Sequence, residues 1–105
     1  MSSDIPWYIQ NKESIGTCFK EFHDSLYEDG ALSDKTRELL MLSLACAFRC
    51  PHCTEEHIEK ALEVGASREE VSEALLLTAV EGAGTQLYWA KDIYEKHLGD
   101  SVETP

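Results

Sequence analysis

The chain has 105 residues, of which 43% are apolar and 28% charged, and a formal net charge of −11. That length supports one domain with a single modest core, and the apolar fraction with its regular periodicity argues against disorder. The acidic balance, with no Lys/Arg cluster to reverse it locally, makes phosphate backbones and anionic lipid poor partners, so neither nucleic acid nor a membrane surface is expected. No run approaches the roughly eighteen apolar residues of a membrane span, and the first residues lack a basic segment followed by an apolar one, so a cytoplasmic location is expected.

Residues 1–6 read as a short extended lead. After it Trp7, Tyr8, Ile9, Ile15, Cys18, Phe19, Phe22 and Leu26 recur at helical spacing up to Glu28-Asp29-Gly30, which predicts a first helix over about 10–28. Cys18 falls among the apolar positions and reads as a small buried hydrophobe, while His23 falls on the polar side. Ser33 is a good N-cap, with Asp34 in the first turn, for a helix through Phe48 that is apolar nearly all round from Leu39 onward. Such a helix is buried on most sides, in the domain centre or in a subunit interface.

Proline at 51 disfavours the helical region for Cys50 and suits the first position of a new helix, so the chain should turn near Arg49 and restart with Cys50 as N-cap and Cys53 as the third helical residue. Those two positions are neighbours in space, which brings their sulfurs within range of a disulfide. The orphan N–H groups and positive dipole end of the helix favour thiolate over thiol. His57 follows four residues after Cys53, on the same face. Folding this helix back on the previous one puts Glu38 about 16 Å and His57 about 10 Å from the turn, a mismatch of about 6 Å that two side chains or a bridging water span.

The helix from Pro51 should run to about residue 64 and stop at Gly65. Ser67-Arg68-Glu69-Glu70 is a capping box for a fourth helix over about 68–81, and Gly82-Ala83-Gly84 then either breaks the helix or admits another backbone. Thr85 is the expected cap of a last helix through Leu98, closed by Gly99, with a frayed tail over 100–105. Trp89 lies off its apolar stripe and suits an intersubunit contact. No strand-like alternation occurs, so the fold class is all-α, as one small multi-helix domain.

Four readings of Cys50 to His57 compete. The cysteines are core residues beside a surface histidine; or Cys50, Cys53 and His57 are zinc ligands, with Cys46 or His52 as a fourth; or the cysteines are a redox pair; or Glu38 and His57 do acid–base chemistry without sulfur, in a lactone or decarboxylation reaction. The zinc reading lacks a second Cys/His pair downstream, and the last leaves the cysteines unexplained. The redox reading uses both cysteines, the histidine and the acid together, with no cofactor and no metal.

Glu38, eleven intervening positions, then Cys50-x-His52-Cys53-x-x-x-His57 resembles the carboxymuconolactone decarboxylase superfamily, in its alkylhydroperoxidase-D-like branch. The flanks agree over about residues 34–98: Arg37-Glu38-Leu39 before an apolar helix, His57-x-x-x-Ala61-x-x-x-Gly65-Ala66-Ser67-x-x-Glu70-Val71-x-Glu73-Ala74, and Gly82-Ala83-Gly84. The resemblance implies an all-helical fold assembled as homotrimers or as hexamers of trimers, and a thiol-dependent peroxidase or disulfide reductase acting on a peroxide or disulfide substrate. In that branch the cysteine matching Cys53 is the more buried. Its proton is drawn off through a water relay with the residues matching Glu38, His57 and His52, and the cysteine matching Cys50 closes the disulfide. A dithiol donor, in described members a dihydrolipoyl carrier, supplies electrons. The decarboxylase branch generally lacks the cysteine pair, and this chain holds a single copy of the helical unit where the described peroxidase has further helices.

Overall fold

The computed structural model describes residues 4–99, which form helices and no strand. They divide into two compact units, the chain passing from one to the other after Ser33.

The first unit holds α1 (Trp7–Asn11) and α2 (Glu13–Glu28). Helix therefore begins earlier than expected. Pro6, with φ −55° and ψ 146°, stands as N-cap, and its carbonyl accepts from Ile9 N–H (3.0 Å) and Gln10 N–H (3.1 Å). Lys12, at φ −144° and ψ 74°, then separates the two helices. Gly16 is the buried residue of α2, because the α1 backbone lies against it; a Cβ there would stand 2.5 Å from the Tyr8 carbonyl oxygen. Tyr8 and Phe19 meet edge to face at 5.3 Å between ring centroids. Cys18 is exposed, contrary to expectation, as are Phe19 and Phe22, because α1 is too short to cover more of the α2 stripe than the turn at Gly16.

The second unit holds α3 (Asp34–Ala47), α4 (Pro51–Glu63) and α5 (Arg68–Leu98). Its interior is made of small side chains, with Ala45, Ala61, Ala66 and Ala74 buried around Leu42. Small residues let the backbones approach, and Ser43 Oγ on α3 donates to the Ala74 carbonyl of α5 at 3.1 Å. Lys35 Nζ and Glu70 Oε2, 2.9 Å apart, join the starts of α3 and α5. Ser67 caps α5 in a full capping box with Glu70, as the sequence predicts.

The two helices expected over 68–81 and 85–98 are one continuous α5. Each glycine costs a helix interior about 1 kcal/mol relative to alanine, which a 31-residue helix anchored at its capped start tolerates. Thr85 does not cap; its hydroxyl donates back to the Gly82 carbonyl at 2.7 Å. Among the described residues nothing beyond the helix's own neighbouring backbone lies within 4 Å of where a Cβ would stand at Gly82 or Gly84, so neither a break nor a close backbone accounts for them there. Much of α5 is exposed, including Leu76, Leu77, Val80, Leu87 and Trp89, and so are Leu40 and Leu44 on α3 and Phe48 just after it. Helix α3 is thus less covered within one chain than its apolar character predicts. Among the described residues no helix is long and apolar enough to cross a membrane. The tail over 100–105 lies outside the described residues, as do residues 1–3 of the expected lead.

Candidate functional site

Helix α3 stops where Arg49 takes a left-handed backbone, φ 61°. Cys50 N–H donates to the Ala45 carbonyl (3.0 Å) and Arg49 N–H to the Cys46 carbonyl (3.1 Å), the paired bonds of a Schellman ending. The reversal delivers Cys50 in extended conformation as the N-cap of α4, with Pro51 next. Cys50 Sγ accepts from Cys53 N–H at 3.2 Å, so the sulfur takes the place of a capping oxygen. Cys50 and Cys53 are joined as a disulfide, with Cα atoms 5.3 Å apart, inside the usual range for that bond.

One turn further along α4, His57 faces inward and meets Glu38 of α3. His57 Nδ1 and Glu38 Oε1 lie 2.8 Å apart, with the two residues 6% and 1% exposed. Direct contact replaces the gap of about 6 Å estimated from helix rise, because α3 and α4 pack closely enough for the side chains to close it. The second carboxylate oxygen of Glu38 accepts from Arg37 Nε at 3.4 Å, and Arg37 also reaches Asp34 at 3.2 Å. Among the described residues no buried side-chain nitrogen or oxygen lacks a hydrogen-bond partner. With the carboxylate accepting, Nδ1 carries the imidazole proton, and Nε2 keeps the lone pair that can take another. A buried carboxylate–imidazole pair among alanines is costly to desolvate, and its mutual hydrogen bond offsets that cost.

The structure thus brings together Cys50 with Cys53, and Glu38 with His57, the two couples standing one helical turn apart on α4. His52 is placed elsewhere: its side chain is 88% exposed, and its Nε2 lies 3.7 Å from Glu56 Oε2. A hydrogen bond from Lys60 holds the Glu56 carboxyl below the ordinary carboxylate range, so a negative charge stands beside His52 at neutral pH. Among the described residues no group of three or more His, Cys, Asp or Glu side chains surrounds a common metal position.

On the outer side of the turn lies an open groove of about 520 Å³, lined by Cys46, Arg49, Cys50, Pro51, Thr54, Glu55, Ile58 and Glu59. Cys50 contributes to this groove and Cys53 does not, although both are half-buried. Helical periodicity could not reveal the groove, since Cys46, Arg49 and Cys50 of its lining come from the end of α3 and the reversal. The one local signal was an arginine where a helix stop favours glycine.

The profile of the carboxymuconolactone decarboxylase family matches residues 15–96. A Paracoccus denitrificans protein described as uncharacterized protein 4 in the cox locus is 34% identical over 71 residues, 68% of this chain; the chain spans 64% of that relative's length. An uncharacterized protein of Cupriavidus necator is 27% identical over 81 residues, 77% of this chain and 72% of its own. A crystal structure of a Methanobacterium thermoautotrophicum protein, from a structural genomics programme, superposes with a TM-score of 0.77 at 29% identity, covering 83% of this chain and 98% of the other.

Proposed function

The chain belongs to the carboxymuconolactone decarboxylase family, and from that premise we propose that it is a thiol-dependent peroxidase or disulfide reductase working through Cys50 and Cys53. One observation carries the reading: a disulfide-bonded pair at the first turn of α4 stands one turn before a buried histidine bound to a buried glutamate.

In the reduced protein Cys53 is the attacking sulfur. His57 lies on its helix face about 6 Å further along, a span that one water bridges. His57 Nε2 takes the thiol proton through that water, while Glu38 holds the ring and stabilises the imidazolium. The Cys53 thiolate attacks a peroxide oxygen and the O–O bond breaks. The leaving alkoxide or hydroxide recovers the proton, and Cys53 becomes a sulfenic acid. The Cys50 thiol then displaces water from that sulfenic acid, forming the disulfide. An external thiol donor, one dithiol or two monothiols, attacks the Cys50 side and returns both cysteines to thiols as it is oxidised to its disulfide. His52, beside Glu56 in solvent, is assigned a part in proton exchange between the relay and bulk water. A cytoplasmic location fits a pair that cycles between thiol and disulfide.

Assembly belongs to the same proposal. Homotrimers, or hexamers built from them, would cover the exposed leucines of α3 and α5 and Trp89, more apolar surface than a chain of this size leaves bare alone. Sedimentation at micromolar concentration tests this, a monomer being the contrary result.

The catalytic reading is tested by peroxide and disulfide turnover with a dithiol donor. Cys50→Ser and Cys53→Ser are each expected to abolish it; full turnover in both variants overturns the reading.

A further inference from the structure

Two helix ends in the second unit share one backbone pattern and differ in the residue that makes it. At the end of α4, Gly65 takes φ 95°, with Gly65 N–H donating to the Leu62 carbonyl and Ala66 N–H to the Ala61 carbonyl. At the end of α3 the same pair of bonds is made around Arg49 at φ 61°. Glycine has no Cβ to resist the left-handed region, whereas arginine does, so the chain uses the less favourable residue at one of two equivalent stops. Arg49 lines the groove that holds Cys50.

Two further unfavourable choices meet in the same groove. Glu55 and Glu59, like charges four residues apart on one helix, both line it. Among the described residues, none of the three side chains Arg49, Glu55 and Glu59 has an ion-pair partner. The rest of the lining is Cys46, Cys50, Pro51, Thr54 and Ile58, apolar apart from the threonine hydroxyl. Local rules broken together around one reactive atom indicate a site kept for a ligand rather than for stability.

We propose that this groove is the binding site for the thiol that opens the Cys50–Cys53 disulfide, and that it selects a small thiol carrying both a carboxylate and an ammonium group, as cysteine derivatives do. Arg49 receives the carboxylate, Glu55 and Glu59 the ammonium, and the apolar floor the methylene that bears the sulfur. A purely anionic thiol would meet two carboxylates, and a purely cationic one would leave Arg49 unpaired. In the first step the donor thiolate attacks Cys50 Sγ, the Cys50–Cys53 bond breaks and its electron pair leaves on Cys53, which takes a proton through His57. A second donor thiolate attacks the donor's own sulfur in the mixed disulfide, releasing Cys50 as thiolate and the donor as its disulfide.

This inference rests on the pair exchanging with external thiols. Its test starts from the oxidised full-length protein however the disulfide was made, so it reads out even if peroxide proves not to be the oxidant. The opening rate of Cys50–Cys53, by peptide-resolved alkylation and expressed per thiolate, is measured with L-cysteine, thioglycolate, cysteamine and dithiothreitol. Arg49→Gly is expected to slow the two carboxylate thiols about three- to fivefold, the worth of an exposed ion pair, leaving cysteamine and dithiothreitol unchanged. Glu55→Gln/Glu59→Gln is expected to slow L-cysteine and cysteamine by a similar factor and not thioglycolate. The melting temperature of Arg49→Gly should not fall, which separates loss of a contact from loss of the fold. Arg49→Gly slowing all four thiols alike, or none, overturns the proposal, as does indifference of the ammonium thiols to the paired glutamate substitutions.

Discussion

The two sides of the first turns of α4 are built on opposite terms. Inward, His57 and Glu38 are almost wholly buried and bonded to each other, with Arg37 on the outer carboxylate oxygen. Outward, Arg49, Glu55 and Glu59 line the groove with Cys50 and have no ion pair among the described residues. A closed, satisfied arrangement suits a group that must hand a proton over in one fixed direction. An open, unpaired one suits a surface that receives and releases a partner. The disulfide sits at the boundary, Cys50 on the groove and Cys53 one turn before the histidine.

The sharpest way to break this contrast is to remove the sulfurs. Cys53→Ser is expected to lower peroxide or disulfide turnover by at least about a thousandfold, since a hydroxyl is not a usable nucleophile without a far stronger base. Cys50→Ser should leave Cys53 able to form a sulfenic acid that a dimedone-type reagent traps. Absence of that adduct would reassign the attacking sulfur.

The inner side comes next. Glu38→Gln should slow thiolate formation by about a hundredfold and move the pH–rate profile, and an unchanged profile would remove Glu38 from the relay. The same site carries a stability effect. Glu38→Leu leaves a buried imidazole N–H without its acceptor and is expected to lose about 1–3 kcal/mol in urea unfolding.

The outer side predicts a change of the opposite sign. Arg49→Gly should raise stability by about 1 kcal/mol, because the left-handed position no longer opposes a Cβ. A loss of stability would mean that the arginine side chain supports the fold and would blur the division between the two sides.

The smallest effect lies away from the turn, at the joint between α3 and α5. A hydrogen bond from Lys35, with help from Ser67, holds the Glu70 carboxyl below its ordinary value of 4.5. A carboxyl depressed in the folded state contributes stability that is full above the unfolded value and is lost as pH falls through the folded one. Lys35→Met should therefore flatten the acid limb of the stability profile below about pH 4.5 and change little at neutral pH; an unaltered limb would show that the pair contributes nothing.

What could be read from the chain beforehand follows from how local each feature is. The start of α4 was legible because Pro51 acts on its immediate neighbour, and the capping box at Ser67 because it is complete within four residues. The continuity of α5 through Gly82 and Gly84 was not, since glycine weakens a helix by an amount that a long capped helix absorbs. Burial of Cys18 was expected from periodicity, yet periodicity reports which side is apolar and not whether anything covers it. Glu38 and His57 were legible as partners, with direct contact or a bridging water both open, because rise along a helix ignores how closely two helices pack. The exposed position of His52 depends on where α4 turns its first residues, which spacing alone leaves open.

The redox claim meets its most direct test in a thiol count on the fully reduced protein, which holds four cysteines. One equivalent of hydrogen peroxide should remove two free thiols, assigned by peptide mapping to Cys50 and Cys53, and excess dithiothreitol should restore both. Four thiols still free after peroxide, or the loss mapped to Cys18 and Cys46, would contradict it.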